Sequence, residues 1–111
     1  MTDQPVNLAN FREAIDHDKE LEEELFAEFV RSSEEQLAIL KQHLEDQGDA
    51  LVWKNAAHAM KSTSGSLGAM GLADICARAQ VECDADVAHK AALYDEVEAE
   101  YQRVKAFLDK V

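Results

Sequence analysis

Proline is nearly missing from these 111 residues, with one copy, and glycine is scarce, with four. Little therefore interrupts a helical run, because these two residues are its main breakers. Aromatic residues make up only 6% of the chain, and Ala, Leu, Glu and Lys recur instead. That mixture disfavours strands and predicts an all-α chain. No apolar run approaches the roughly 20 residues that span a bilayer. The opening MTDQPVNLANF also lacks the basic and then apolar order of a signal peptide. A soluble, cytoplasmic protein with no membrane partner is expected.

Cysteine is limited to Cys76 and Cys83. They stand seven apart in a stretch that reads as helix, where a rise of about 1.5 Å per residue separates them too far for a disulfide. Both are expected as small core or boundary residues. Positive charge is short as well: 11 basic residues face 23 acidic ones, a formal charge of −12. Such a surface repels nucleic acid, so no nucleic-acid partner is expected. A basic residue that holds an anion must then act locally.

The length matches one domain, and no repeat, low-complexity tract or linker divides it, so residues 1–111 are read as a single domain. Leu8, Phe11 and Ile15 recur at helical spacing behind Asn7 as an N-cap, which predicts a short first helix packed across one end. Asp18 caps a long second helix with the stripe Leu21, Leu25, Phe29, Leu37, Leu40 and Leu44, and Gly48 stops it. Asp49 caps a third helix from Ala50 to the region of Gly65 to Gly68. A fourth helix runs roughly from Met70 to Asp84 with Leu72, Ile75, Cys76, Ala79 and Cys83 inward. The last begins near His89 and carries Leu93, Val97, Tyr101, Val104 and Leu108. Four long helices with short connections predict an antiparallel up-down-up-down bundle, the short extra helix at its N-terminus.

On the third helix, at about 100° per residue, Trp53, Ala57, Met60, Ser64 and Leu67 share one sector and form the core stripe. His58 lies outside it. The histidine shares a partly exposed sector with Leu51, Lys54, Lys61, Ser62 and Gly65. A phosphoryl carrier needs a nucleophile that is substantially neutral at cytoplasmic pH and forms a labile bond, and imidazole meets both demands. In-line approach by a second protein also needs an exposed ring with little bulk beside it, which Ser62 and Gly65 allow. Lys61, one turn on, lies within reach of the phosphoryl oxygens.

The run His58-Ala-Met-Lys61-Ser-Thr-Ser-Gly-Ser66-Leu67-Gly68-Ala69 resembles the signature of histidine-phosphotransfer domains, His-x-Leu-Lys-Gly-Ser followed by a small-residue segment ending in Leu-Gly-Ala. Ala57, Leu72, Cys76 and Gln80 also match that family's pattern. The resemblance implies a phosphorelay intermediate: His58 accepts a phosphoryl group from the aspartate of a receiver domain and passes it to an aspartate of another response regulator. It further implies a glutamine, Gln80, hydrogen-bonded near the ring, and Gly68 ending the histidine helix. The expected partners are receiver domains and a hybrid histidine kinase, and the expected state is a monomer. No cofactor is expected on this chain, with magnesium on the receiver, and no kinase or ATP site, so a phosphocarrier rather than an enzyme. One departure stands out: Ser62 replaces the family's usual glycine beside the histidine.

Leu51, as an exposed apolar side chain, is expected to form a docking patch with Lys54, Asn55, Ala59 and Gly65. His17, His43 and His89 read as isolated surface histidines without a second ligand at metal-like spacing, so no metal site is expected. Two rival functions are a helical module that binds receivers without chemistry, and a small metal or redox bundle.

Overall fold

A computed structural model describes residues 4–111 of the chain. Residues 1–3, the start of the segment read for a targeting signal, lie outside the described residues. The helices are α1 (Ala9–Ala14), α2 (Lys19–Asp46), α3 (Ala50–Leu67), α4 (Met70–Val81) and α5 (Val87–Lys110). Among the described residues there is no strand, and no helix is long and apolar enough to cross a membrane.

Three aspartates start the three longest helices. The carboxylates of Asp18, Asp49 and Asp86 accept from the backbone N–H groups of Leu21, Leu51 and His89 at 3.0, 2.9 and 2.9 Å, each satisfying a donor that has no partner within its helix. The first two were expected. Asp86 was not, and it moves the start of α5 from His89 back to Val87. The same aspartate-rich segment ends α4 at Val81 rather than Asp84: the Ala85 N–H turns back to the Glu82 carbonyl at 3.0 Å, and aspartate favours caps over helix interiors.

Two other boundaries differ. The left-handed residue that closes α2 is Gln47 (φ 49) rather than Gly48, because the Asp46 carboxylate takes the Gly48 N–H at 2.9 Å and ends the ladder one residue early. Leu8 holds the N-cap position of α1, while the Asn7 side chain accepts from the Ala9 N–H at 3.1 Å just outside it.

Each of α2 to α5 packs on its chain neighbours, and α5 closes on α2. With connections of two to five residues, this is the antiparallel four-helix bundle. Its centre is Leu40, Trp53, Met60, Leu72, Cys76, Leu93, Val97, Tyr101 and Val104, all at 2% exposure or less. The α2 stripe is shifted from the expected one. Leu21 is exposed, whereas Glu22 and His43 are buried. Ile75 on α4 and Cys83 in the turn after it are only half-buried, and Ala73 joins the inward face. Burial pushes the Cys76 thiol up to about 12, and both cysteines are free.

No residue of α1 is buried. It is held by what precedes it, Val6 and Leu8, both buried, by stacking of Phe11 on Phe26 at 5.7 Å, and by the Arg12 guanidinium on the Glu22 carboxylate at 2.7 Å.

Candidate functional site

α3 runs unbroken from the Asp49 cap to Gly68, whose φ of 97 closes the helix. A side chain is excluded at Gly68: a Cβ would stand 2.0 Å from the Asn7 carbonyl oxygen. The Asn7 N–H also donates to the Gly68 carbonyl at 3.0 Å, so the end of α3 is tied to the segment leading into α1. These ties make α3 a rigid base for its outer face.

His58 projects from that face and is exposed. Its Nδ1 lies 3.4 Å from Oε1 of Gln80 on α4. A carboxamide oxygen can only accept, so this contact is a hydrogen bond in the tautomer that carries its proton on Nδ1. The lone pair of the neutral ring then resides on Nε2.

Lys54, Asn55, Lys61 and Ser62 are exposed around the ring, and Ala59 and Gly65 are half-exposed. Lys54 and Lys61 stand one turn before and one turn after His58. Neither takes part in any ion pair among the described residues, unlike Arg31, which lies between Glu28 and Glu35, and Arg78, which meets Glu96 at 2.5 Å. Two cations thus remain available beside the imidazole on a strongly acidic chain. Leu51 is 54% exposed at the start of α3, with Val52 exposed next to it.

On the α2 side of the ring lies an apolar groove of about 280 Å³. Phe11, Leu25 and Phe29 form its floor, Glu28 and Ser32 one rim, and Ser62 and Ser66 the other. The sequence reading missed this groove. Leu25 and Phe29 were visible only as stripe residues, and the structure leaves Leu25 half-buried and Phe29 buried beneath it. Ser62 connects it to the histidine, four residues earlier on the same helix.

His43 is the clearest correction. It is 5% exposed rather than on the surface, its ring 5.6 Å from that of Trp53 and its Nε2 3.0 Å from the Lys90 ammonium. Burial, then the neighbouring Lys90 charge, hold its pKa below the ordinary histidine value. Lys90 is itself 5% exposed and stands 5.4 Å from the Trp53 ring centroid. No helical periodicity flags such a pair, since each residue is polar at a core position and meets the other only once α2 and α5 are packed. Among the remaining histidines, His89 meets the Glu82 carboxylate and His17 adopts a positive φ of 57 in the α1–α2 turn. Among the described residues no group of His, Cys, Asp and Glu is arranged to hold a metal ion.

The family model described as "Hpt domain" matches residues 24–107, which takes in α3, α4 and the His58–Gln80 contact. Among solved structures, the chain is similar to histidine-containing phosphotransfer protein B from Pseudomonas aeruginosa PAO1. The match has a TM-score of 0.82 and 26% identity over 98% of this chain and 96% of that one. No curated protein matches the sequence.

Proposed function

The chain belongs to the Hpt domain family, whose role is phosphotransfer within phosphorelays, and from that premise we propose that His58 is the residue that carries the phosphoryl group. One observation supports this above the others: an exposed imidazole has its Nδ1 against the Gln80 carboxamide oxygen at 3.4 Å, which leaves Nε2 unencumbered.

In this reading Nε2 attacks the phosphorus of a receiver's aspartyl phosphate. The N–P bond forms as the P–O bond to the aspartate breaks, and the aspartate leaves as its carboxylate. The proton stays on Nδ1, so the phosphorylated ring is cationic, and the Gln80 oxygen accepts from it. That positive ring is a good leaving group, so a carboxylate oxygen of a second receiver then takes the phosphoryl group and neutral imidazole is restored. Lys61, with Lys54 on the other side, offsets charge on the phosphoryl oxygens. Ser62 offers a hydroxyl at the edge of the site.

The chain acts as a carrier, one domain without a nucleotide site, and the magnesium that assists the aspartyl phosphate belongs to the receiver. The receiver covers α2 and α3, with the groove at Leu25 and Phe29 on one side of His58 and Leu51, Asn55, Ala59 and Gly65 along α3. A cytoplasmic monomer fits such a relay, with a hybrid histidine kinase upstream.

The test is incubation of the chain with a phosphorylated receiver. Label should appear that is lost in acid and survives alkali, and H58Q should abolish it while the melting temperature is kept, because the ring is exposed. Label persisting in H58Q would place the phosphoryl group elsewhere. Failure to label the native chain with a panel of receivers would leave a binding module that uses the groove alone.

A further inference from the structure

We propose that Trp53 is a positioning residue for this transfer: its indole N–H anchors the last turn of α4, and that turn holds Gln80 against His58. The proposal rests on the reading of His58 as the reacting group.

The last turn of a helix is its least secured part, because its carbonyls have no N–H partner further along. In α4 the Arg78 carbonyl is met by the Glu82 N–H at 2.9 Å. The next carbonyl, that of Ala79, instead accepts from Trp53 Nε1 at 2.8 Å, in a buried hydrogen bond between α3 and α4. Gln80 follows Ala79 directly, so anchoring the Ala79 carbonyl sets the place from which the Gln80 side chain reaches His58.

Both halves of this clamp sit on α3. Trp53 and His58 are five residues apart on one continuous helix, so indole and imidazole move together. α3 therefore meets α4 at two polar contacts, Trp53 to Ala79 at 2.8 Å and His58 to Gln80 at 3.4 Å. The buried contact is short and the exposed one is long, so the exposed contact depends on the buried one for its alignment.

The indole has no freedom to follow a drifting turn. It is 0% exposed and is backed by Lys90 from α5 and by His43 from α2. A ring of the same shape without the N–H would fill the space and leave the Ala79 carbonyl buried and unpaired. The turn would then shift to satisfy it, and the 3.4 Å contact would be lost first.

The chain holds one tryptophan, so full-length protein made with benzothienylalanine in place of tryptophan exchanges that single N–H for sulfur at nearly constant shape. W53F is the genetically encoded companion. The first readout is the tautomer population of the His58 ring, from the ¹⁵N shifts of unphosphorylated protein. The second is the rate of phosphoryl transfer from a phosphorylated receiver.

The Nδ1–H fraction should fall to the level seen in Q80A, and the rate should drop about 3- to 10-fold, the loss expected from one ordinary hydrogen bond. Combined with Q80A, the replacement should change neither readout further. A native tautomer population in the benzothienyl protein, while Q80A lowers it, would mean that Trp53 only packs, and the proposal would fall. An unchanged population in Q80A would overturn it equally. Should His58 never take up label, the carrier reading fails, yet the tautomer measurement still decides whether Trp53 aligns Gln80.

Discussion

Gly65 and Gly68 stand three residues apart at the end of α3 and respond to a methyl group in opposite ways. At Gly65 an added Cβ meets nothing within 4 Å, and the backbone is helical. G65A should therefore raise stability by about 0.5–1 kcal/mol, the ordinary helical advantage of alanine over glycine. At Gly68 the backbone is left-handed and the Asn7 carbonyl lies in the way, so G68A should lose more than about 1 kcal/mol. Urea unfolding of both variants checks the two signs. G65A also separates fold from docking: if a receiver closes over this face of α3, transfer slows in a variant that is more stable than the native chain.

α1 has only six residues, and an isolated helix of that length does not persist in water. Its place depends on the Phe11 stack and on Arg12 with Glu22, and Phe11 is also part of the groove beside the histidine. R12A should cost about 0.5–1 kcal/mol and should speed amide exchange in α1 while α3 stays protected. Glu22 adds a pH dependence. Its hydrogen bond with Arg12 holds its carboxyl below the usual carboxylate value, so the pair stabilises the protein above about pH 4.3 and that stability is lost as pH falls through the lowered value. Acid unfolding of R12A should therefore lack part of the loss seen in the native chain.

Where all four bundle helices meet around Trp53, folding keeps His43 neutral. The groups around His43 are Lys90 from α5, Asp46 at the end of α2 and Asp49 before α3, and burial together with Lys90 outweighs the two aspartates. The unfolded chain binds a proton on this residue near pH 6.5, which the native protein refuses. Stability should therefore fall as pH drops from about 6.5 toward the lowered native value, and this group should contribute no pH dependence well above 7. Denaturant unfolding at pH 7.5 and 5.5 checks this: H43Q, which retains an acceptor for Lys90, should lose less than the native chain over that interval. The window lies above that of the carboxylates, so the two effects separate.

Much of the architecture was legible because it depends on local rules. Side chains of Asp18 and Asp49 satisfy the first N–H groups of their helices, stripes of apolar residues every three or four positions face inward, and Gly68 tolerates the backbone that closes α3. The same periodicity put His58 off the core stripe, and residue identities at fixed offsets carried the family resemblance. What the linear pattern could not supply was contact between helices. The Gln80 contact at His58 was expected only through the family resemblance; the indole on the Ala79 carbonyl, the groove beneath Ser62 and the burial of His43 with Lys90 depend on the relative rotation and register of packed helices. Those are decided by packing of the whole core, and a polar residue at a core position reveals its partner only once the helix carrying that partner is in place.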